Sequence, residues 1–375
     1  MAHAYTPGLK VIKQTVVHKT RRLPLKGNVV VKKGDVVKAE DVVATTNLPG
    51  NVVPVNLANM LNIDASEIPE LLIKKPGDSI KKDELIAETP GIFGLFKTKA
   101  HSPAEGTFES VSSVTGQAII REAPIPVSVV AYINGQVDGI IEDEGVEIKT
   151  AASFIQGIFG IGGERRGQLH ILTKDKDTPI TEDLITEDCK GKVLVGGSFL
   201  SLKAFKKAER VGAIGVVVGG FNYSDIKKIV GYDIGVAITG QEDIKTTLII
   251  TEGFGEVHMA DLTFELLSSH EGKMASVNGA TQIRAGVIRP EIIIPLEGDS
   301  TIKNETAELF GMDVGTEVRV IRAPYFGMLG EVRDLPHELQ RLESGSLARV
   351  ARVKIYETKK EVLLPRANLE MIEKK

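Results

Sequence analysis

The chain has 375 residues, 42% hydrophobic and 26% charged, with 46 Lys+Arg against 50 Asp+Glu for a net charge of −4. That inventory suits a soluble protein of roughly two to four domains. It excludes collagen-like, disordered and coiled-coil chains, and gives no whole-chain field for a polyanion. One cysteine and seven histidines offer no disulfide framework, zinc ribbon or iron–sulfur cluster. With 38 glycines and no tryptophan, the chain is rich in turn formers and poor in reactive side chains, which leans away from catalysis and from a bound cofactor.

The N-terminal stretch through Gly34 carries Lys10, Lys13, Lys19, Arg21, Arg22, Lys26, Lys32 and Lys33 without one acid. It reads as a solvated basic strand edge, with an electrostatic contact to nucleic acid or another anionic partner as the alternative. No apolar core follows these charges, so a signal peptide is not expected. Val42 to Ile63 is uncharged, but its five asparagines and two prolines would not enter a bilayer. Thr150 to Gly163 is glycine-broken and too short to span one. A cytoplasmic protein without transmembrane segments is expected, and the lone Cys189 fits that setting.

An internal repeat dominates the N-terminal third. Val31-Lys32-Lys33-Gly34-Asp35-Val36-Val37 recurs as Lys74-Lys75-Pro76-Gly77-Asp78-Ser79-Ile80, with Gly34 and Gly77 43 residues apart. Each copy predicts a Gly-Asp turn between short strands, as in a pseudo-symmetric barrel or sandwich. Gly91-Ile92-Phe93-Gly94 and Gly157-Ile158-Phe159-Gly160 form a second pair. The second copy, continued by His101-Ser102-Pro103-Ala104-Glu105-Gly106-Thr107-Phe108, resembles the biotinyl/lipoyl-type barrel-sandwich hybrid over roughly residues 20–135. In that family a hairpin tip carries the modified lysine. Here the region from Thr89 to Lys99 holds Lys97 and Lys99 without the Met-Lys-Met or Asp-Lys-Ala tip. The resemblance therefore implies a non-carrier member, as in electron-transfer complexes or RNA polymerase.

From Thr186 the pattern alternates. Strands are predicted at 191–195, 213–218 and 246–250, and helices at 200–211, at 224–230 with Ser224 as N-cap, and at about 259–269. This spacing implies parallel strands and is similar to swivelling β/α/β domains. Two glycine loops are anion or ligand candidates. One is Gly162 and Gly163 with Arg165 and Arg166; the other is Gly196, Gly197 and Ser198 between a strand and a helix. For both, an ordinary turn is the competing reading. Glu252, Glu256, His258 and Asp261 cluster without a zinc-protease spacing, so neither a metal nor a catalytic set is assigned.

The segment from Gly315 to Val332, with its Ala323-Pro324-Tyr325-Phe326-Gly327 turn, resembles a KOW motif opening an SH3-like barrel. Arg349 to Tyr356 and Lys360 to Pro365 look like the closing strands. The resemblance implies contact with RNA, DNA or a protein partner. Its phosphate candidates are Arg319, Arg322, Arg333, Arg349, Arg352 and Lys354, with Tyr325 and Phe326 as stacking candidates.

The expected fold is multidomain α+β: a β-rich barrel-sandwich hybrid (1–185), a central α/β domain (186–295) and a C-terminal SH3-like barrel (312–375). The expected function is non-catalytic binding or scaffolding in a protein complex, with nucleic-acid machinery favoured. The alternatives are an accessory subunit of a redox or membrane-peripheral complex, and a ligand-binding protein or enzyme using the central glycine loops.

Overall fold

A computed structural model describes residues 9–91, 96–232, 240–282, 288–296, 312–322, 324–336, 338–341 and 347–371. The chain opens with β1 (Val11–Arg22), β2 (Asn28–Val29), β3 (Val36–Val37) and β4 (Val42–Leu48). An inserted lobe follows: β5 (Val52–Asn56), α1 (Leu57–Leu61), α2 (Ile68–Leu71), β6 (Ser79–Ile80), β7 (Leu85–Glu88), β8 (Lys99–His101), β9 (Gly106–Val111) and β10 (Gln117–Arg121). The first lobe resumes with β11 (Ile125–Val130), β12 (Gly135–Ile141) and β13 (Gly145–Gln156).

The sequence repeat is a structural repeat down to its hydrogen bonds. Gly34 and Gly77 adopt φ of +95° and +98°, conformations that disfavour any Cβ. The Lys32 and Lys75 amides donate to Asp35 Oδ2 and Asp78 Oδ2, both at 2.8 Å. The Gly34 and Gly77 amides donate to the carbonyls of Val137 and Phe108, again both at 2.8 Å. Each lobe closes its own apolar core, one around Val37, Val43, Ile133 and Ile148, the other around Leu57, Ile80, Phe108 and Ile120. At the neck between the lobes, a Cβ on Gly50 would stand 1.9 Å from the Glu122 carbonyl, so the two connecting segments pass where only glycine fits. The partner Gly91-Ile92-Phe93-Gly94 of the shorter repeat lies mostly outside the described residues.

The central elements are β14 (Phe159–Ile161), β15 (Glu164–Ile171), β16 (Lys192–Val195), α3 (Leu202–Val211), β17 (Gly215–Phe221), α4 (Tyr223–Val230), β18 (Thr247–Phe254), α5 (Asp261–Ser268), β19 (Met274–Asn278) and β20 (Glu291–Pro295). They build a sheet of order β14-β18-β17-β16-β15-β19-β20-β13-β12-β3, with β1 paired to β13. Strands β15 to β18 run parallel. Leu194, Val216, Val218 and Ile250 pack with Phe205 and Ile226 of α3 and α4, while Val193, Val195, Val217 and Ile249 pack with Leu266 and Leu267 of α5. A parallel sheet so covered on both faces reads in sequence as continuous apolar runs. Ser201 caps α3 by accepting from the Ala204 amide at 3.1 Å, and Gly212 ends it at φ +86°. Helix α4 starts one residue before Ser224, so Asn222, and not Ser224, holds the N-cap position. The sheet takes strands from both sides of residue 185, because β20 pairs with β13 and β15 with β16.

The C-terminal unit comprises β21 (Glu317–Val320), β22 (Leu329–Asp334), β23 (Gln340–Arg341), β24 (Leu347–Ala348), β25 (Val350–Ile355), β26 (Glu361–Pro365) and β27 (Leu369–Met371). Five of these form a sheet of order β26-β25-β22-β21-β27 around Val318, Val332, Val353 and Leu369, and β23 pairs with β24. The whole is strand-rich and multi-sheeted. Among the described residues no helix is long and apolar enough to cross a membrane.

Candidate functional site

The end of β18 is where the C-terminal unit meets the central sheet, and its three residues each contribute a different contact. Glu252 Oε2 accepts from Arg319 Nη2 at 2.8 Å, and its Oε1 accepts from the Ala260 amide ahead of α5 at 3.1 Å. Gly253 faces the Gly327 carbonyl so closely that a Cβ would lie 2.8 Å from it. Phe254 stacks against Phe159, Phe326 and Tyr223 at centroid distances of 5.5, 5.9 and 5.1 Å. Tilted and edge-on pairs of this kind add to plain area burial.

Arg319 on β21 stands directly opposite Glu370 on β27, and the cross-strand register puts both side chains on one face. Its Nη1 donates to Glu370 Oε2 at 3.1 Å, while Arg289 Nη2 lies 3.0 Å from Glu370 Oε1. Two arginines and two glutamates thus cancel in charge inside the seam. Arg319 is 3% exposed and Glu370 is fully buried. Burial lowers the Arg289 guanidinium from its ordinary value, against the raising pull of the Glu370 charge. Among the described residues Arg319 Nε finds no acceptor. The adjoining gap beside Phe326 and Ile321 measures about 20 Å³, room for a single water.

Of the other nucleic-acid candidates, Phe326 lies in the seam and the rest sit elsewhere on the C-terminal unit. Tyr325 packs on its own core, and Phe326 belongs to the aromatic nest with Phe159. Arg322 and Lys354 are half-buried, whereas Arg333, Arg349 and Arg352 are exposed. Arg333 pairs with Glu331 at 3.0 Å. Lys354 stands opposite Glu331 and Glu361, and Arg352 opposite Asp334, so cations and carboxylates alternate across these strands.

Both glycine loops turn their donors inward. The Gly162 amide, at φ +84°, donates to Glu242 Oε2 at 2.9 Å, so this turn does hold an anion, and the anion is the chain's own carboxylate. Arg165 Nη2 donates to the Ile244 carbonyl at 2.6 Å, and Arg166 pairs with Glu40 of the first lobe at 2.6 Å. Ser198 donates its hydroxyl to Asp177 O at 2.7 Å and its amide to Thr178 O at 3.3 Å. A Cβ on Gly196 or Gly197 would run into Ile180 or the Lys176 carbonyl. The Glu252, Glu256, His258 and Asp261 cluster separates: His258 pairs with Asp177 at 2.9 Å, Asp261 with Lys176 at 2.9 Å, and Glu252 with Arg319. No group of three or more metal-ligating side chains occurs among the described residues.

A second polar seam joins the first lobe to the sheet and had no signal in the sequence beyond the basic run. Arg21 grips Glu164 with two hydrogen bonds, at 2.6 and 2.7 Å, and lies 5.3 Å over the Tyr132 ring. Tyr132 is buried at φ +69°, and its hydroxyl donates to Glu291, which also takes Lys19. Burial, then the Glu291 charge, raises the Tyr132 phenol well above its ordinary value. Arg22 pairs with Glu144 and Lys26 lies near Asp143, so much of the basic N-terminal charge finds its counterions within the chain.

Compared with known protein families and with curated proteins, the chain matches none.

Proposed function

We propose that this chain is a non-catalytic docking protein of a larger assembly, its C-terminal unit an SH3-like barrel and its N-terminal part of barrel-sandwich-hybrid type. The observation that carries this reading is the seam at β18. Ionic, glycine and aromatic contacts hold the C-terminal unit on the central sheet. The groups that a reactive site would use are committed to internal bonds there and in the glycine loops. A barrel held on the sheet by these contacts, with exposed Arg333, Arg349 and Arg352, suits recognition of a macromolecular partner, with nucleic-acid machinery first in view of the KOW-like turn. The duplicated turn of the two lobes favours the second reading, an accessory subunit of a redox or membrane-peripheral complex.

The deciding experiment is affinity purification of the full chain from its native cell, with and without nuclease. Nucleic-acid docking predicts partners that leave on nuclease treatment and a binding constant that falls steeply with salt. Reversal of Arg349 and Arg352 to Glu should weaken that capture. Partners retained after nuclease, together with a flavin spectrum in the eluate, would move the assignment to the redox complex.

A further inference from the structure

The first lobe has a concave face on one of its sheets. Its three-stranded sheet, order β11-β4-β2, sets Asn28 opposite Thr45 and Thr45 opposite Ser128. Residues directly opposite in antiparallel strands share a face, and Asn47 and Pro126 lie two residues along on that same face. Together with Lys26 they line a concavity of about 660 Å³, within the range of small-molecule sites. Strand geometry spaces these groups about 5 Å across the sheet and about 7 Å along it.

Three features separate this face from an ordinary solvated one. First, among the described residues the side chains of Asn28, Thr45, Asn47 and Ser128 make no hydrogen bond to protein. Second, among the described residues the only charged one lining it is Lys26, whose side chain is three-quarters exposed and whose Nζ stands 3.6 Å from Asp143, beyond good hydrogen-bond length. Other outward strands here carry paired charges, such as Lys149 with Asp138 at 2.7 Å. Third, the repeat supplies an internal control. Moving 43 residues along from Thr45 reaches Glu88, and the register pair Thr45–Ser128 of the first lobe corresponds to Glu88–Lys99 of the second. There the position is charged, and Glu88 is ion-paired with Lys97 at 2.7 Å.

We propose that this face binds a small polyhydroxylated ligand bearing one anionic group, that is, an acidic or phosphorylated monosaccharide. The four neutral side chains supply donors and acceptors for ring hydroxyls, Pro126 supplies an apolar edge, and Lys26 takes the anionic group. The lining itself holds hydroxyl and amide groups and no carboxylate, and Lys26 would exchange its 3.6 Å contact with Asp143 for the anionic group of the ligand.

Calorimetric titration of the full chain with glucose phosphate, glucuronate, glucose and inorganic phosphate tests the assignment. The expected result is saturable binding of the acidic sugars with Kd on the order of 1 mM or tighter, and about tenfold weaker binding of glucose. Whichever of phosphate and carboxylate binds more tightly identifies the anionic group. The double variant Thr45→Glu, Ser128→Lys installs the pair that the second lobe already accommodates and should abolish binding. Lys26→Met should remove the preference for acidic over neutral sugar, and Asn47→Ala, an exposed change, should weaken every sugar. The proposal is overturned if none of the sugars saturates, if inorganic phosphate binds as tightly as glucose phosphate, or if the Asn47 and Lys26 variants bind like the parent.

Discussion

Arg319 shares its guanidinium between Glu370 and Glu252, so its removal leaves two carboxylates buried in the same seam with their shared counterion gone. Breaking a buried pair from one side is far worse than never having built it, typically by about 3–5 kcal/mol. Arg319→Ala is accordingly expected to lower unfolding stability by about that amount in urea titration, while Arg349→Ala, an exposed change, stays within about 0.5 kcal/mol. A fall for Arg319→Ala no larger than for Arg349→Ala would contradict the seam's role. Tyr356 gives a residue-scale pH prediction. Burial, followed by its hydrogen bond to Glu317 Oε1 at 3.1 Å, pushes its phenol from 10 up to about 12. The group is held neutral by the fold. Its contribution is therefore complete below pH 10 and lost as pH rises through about 12. Ultraviolet titration of the parent should show Tyr356 ionising late, as the buried Tyr132 also does, and the late amplitude should fall by one tyrosinate in Tyr356→Phe. At this scale the sequence offered Arg319 as a phosphate contact, but only its strand partner and the end of β18 decide that its counter-charge is a carboxylate of the same chain.

At the scale of elements, the repeated turn was fully legible, because Gly-Asp turns and alternating strands are set by local sterics. Gly34 and Gly77 both have open space around the missing Cβ, so replacing either by Ala tests conformation alone. Each substitution is expected to destabilise by about 1–2 kcal/mol, and equally, since the two turns share their hydrogen bonds. Gly106→Ala should be worse, for its Cβ would meet the Arg121 carbonyl at 2.2 Å. Thermal melts of the three variants check the ranking. The helices α3 and α5 fall close to their predicted spans because amphipathic spacing and caps are local. The start of α4 was misplaced by Ser224, since a serine near a helix start satisfies the same composition signal whether or not its side chain caps. The sequence left each glycine loop between an anion site and an ordinary turn; Glu242, far along the chain from Gly162, is what occupies one of them.

At the scale of the whole molecule, the inserted lobe is joined through the Gly50 neck and keeps a separate apolar core. The first lobe, by contrast, shares β1, β12 and β13 with the central sheet. Native-state hydrogen exchange is therefore expected to show the core strands of residues 52–121 opening as their own unit, and β13 opening together with β15 to β20. Identical opening free energies for both sets would refute that division. By itself the sequence determined the class of this protein: a multi-sheeted, strand-rich chain with a duplicated turn lobe and parallel strands between helices. Those properties follow from local sterics and from the period of apolar residues. Only the tertiary structure decided which charges face one another and which polar groups remain uncommitted. Arg319 and Glu252, or Thr45 and Ser128, lie far apart in the chain, and a pairing across such a separation leaves no local pattern. Their proximity comes from strand register and from the docking of one sheet upon another, where burial makes each charge dependent on its partner.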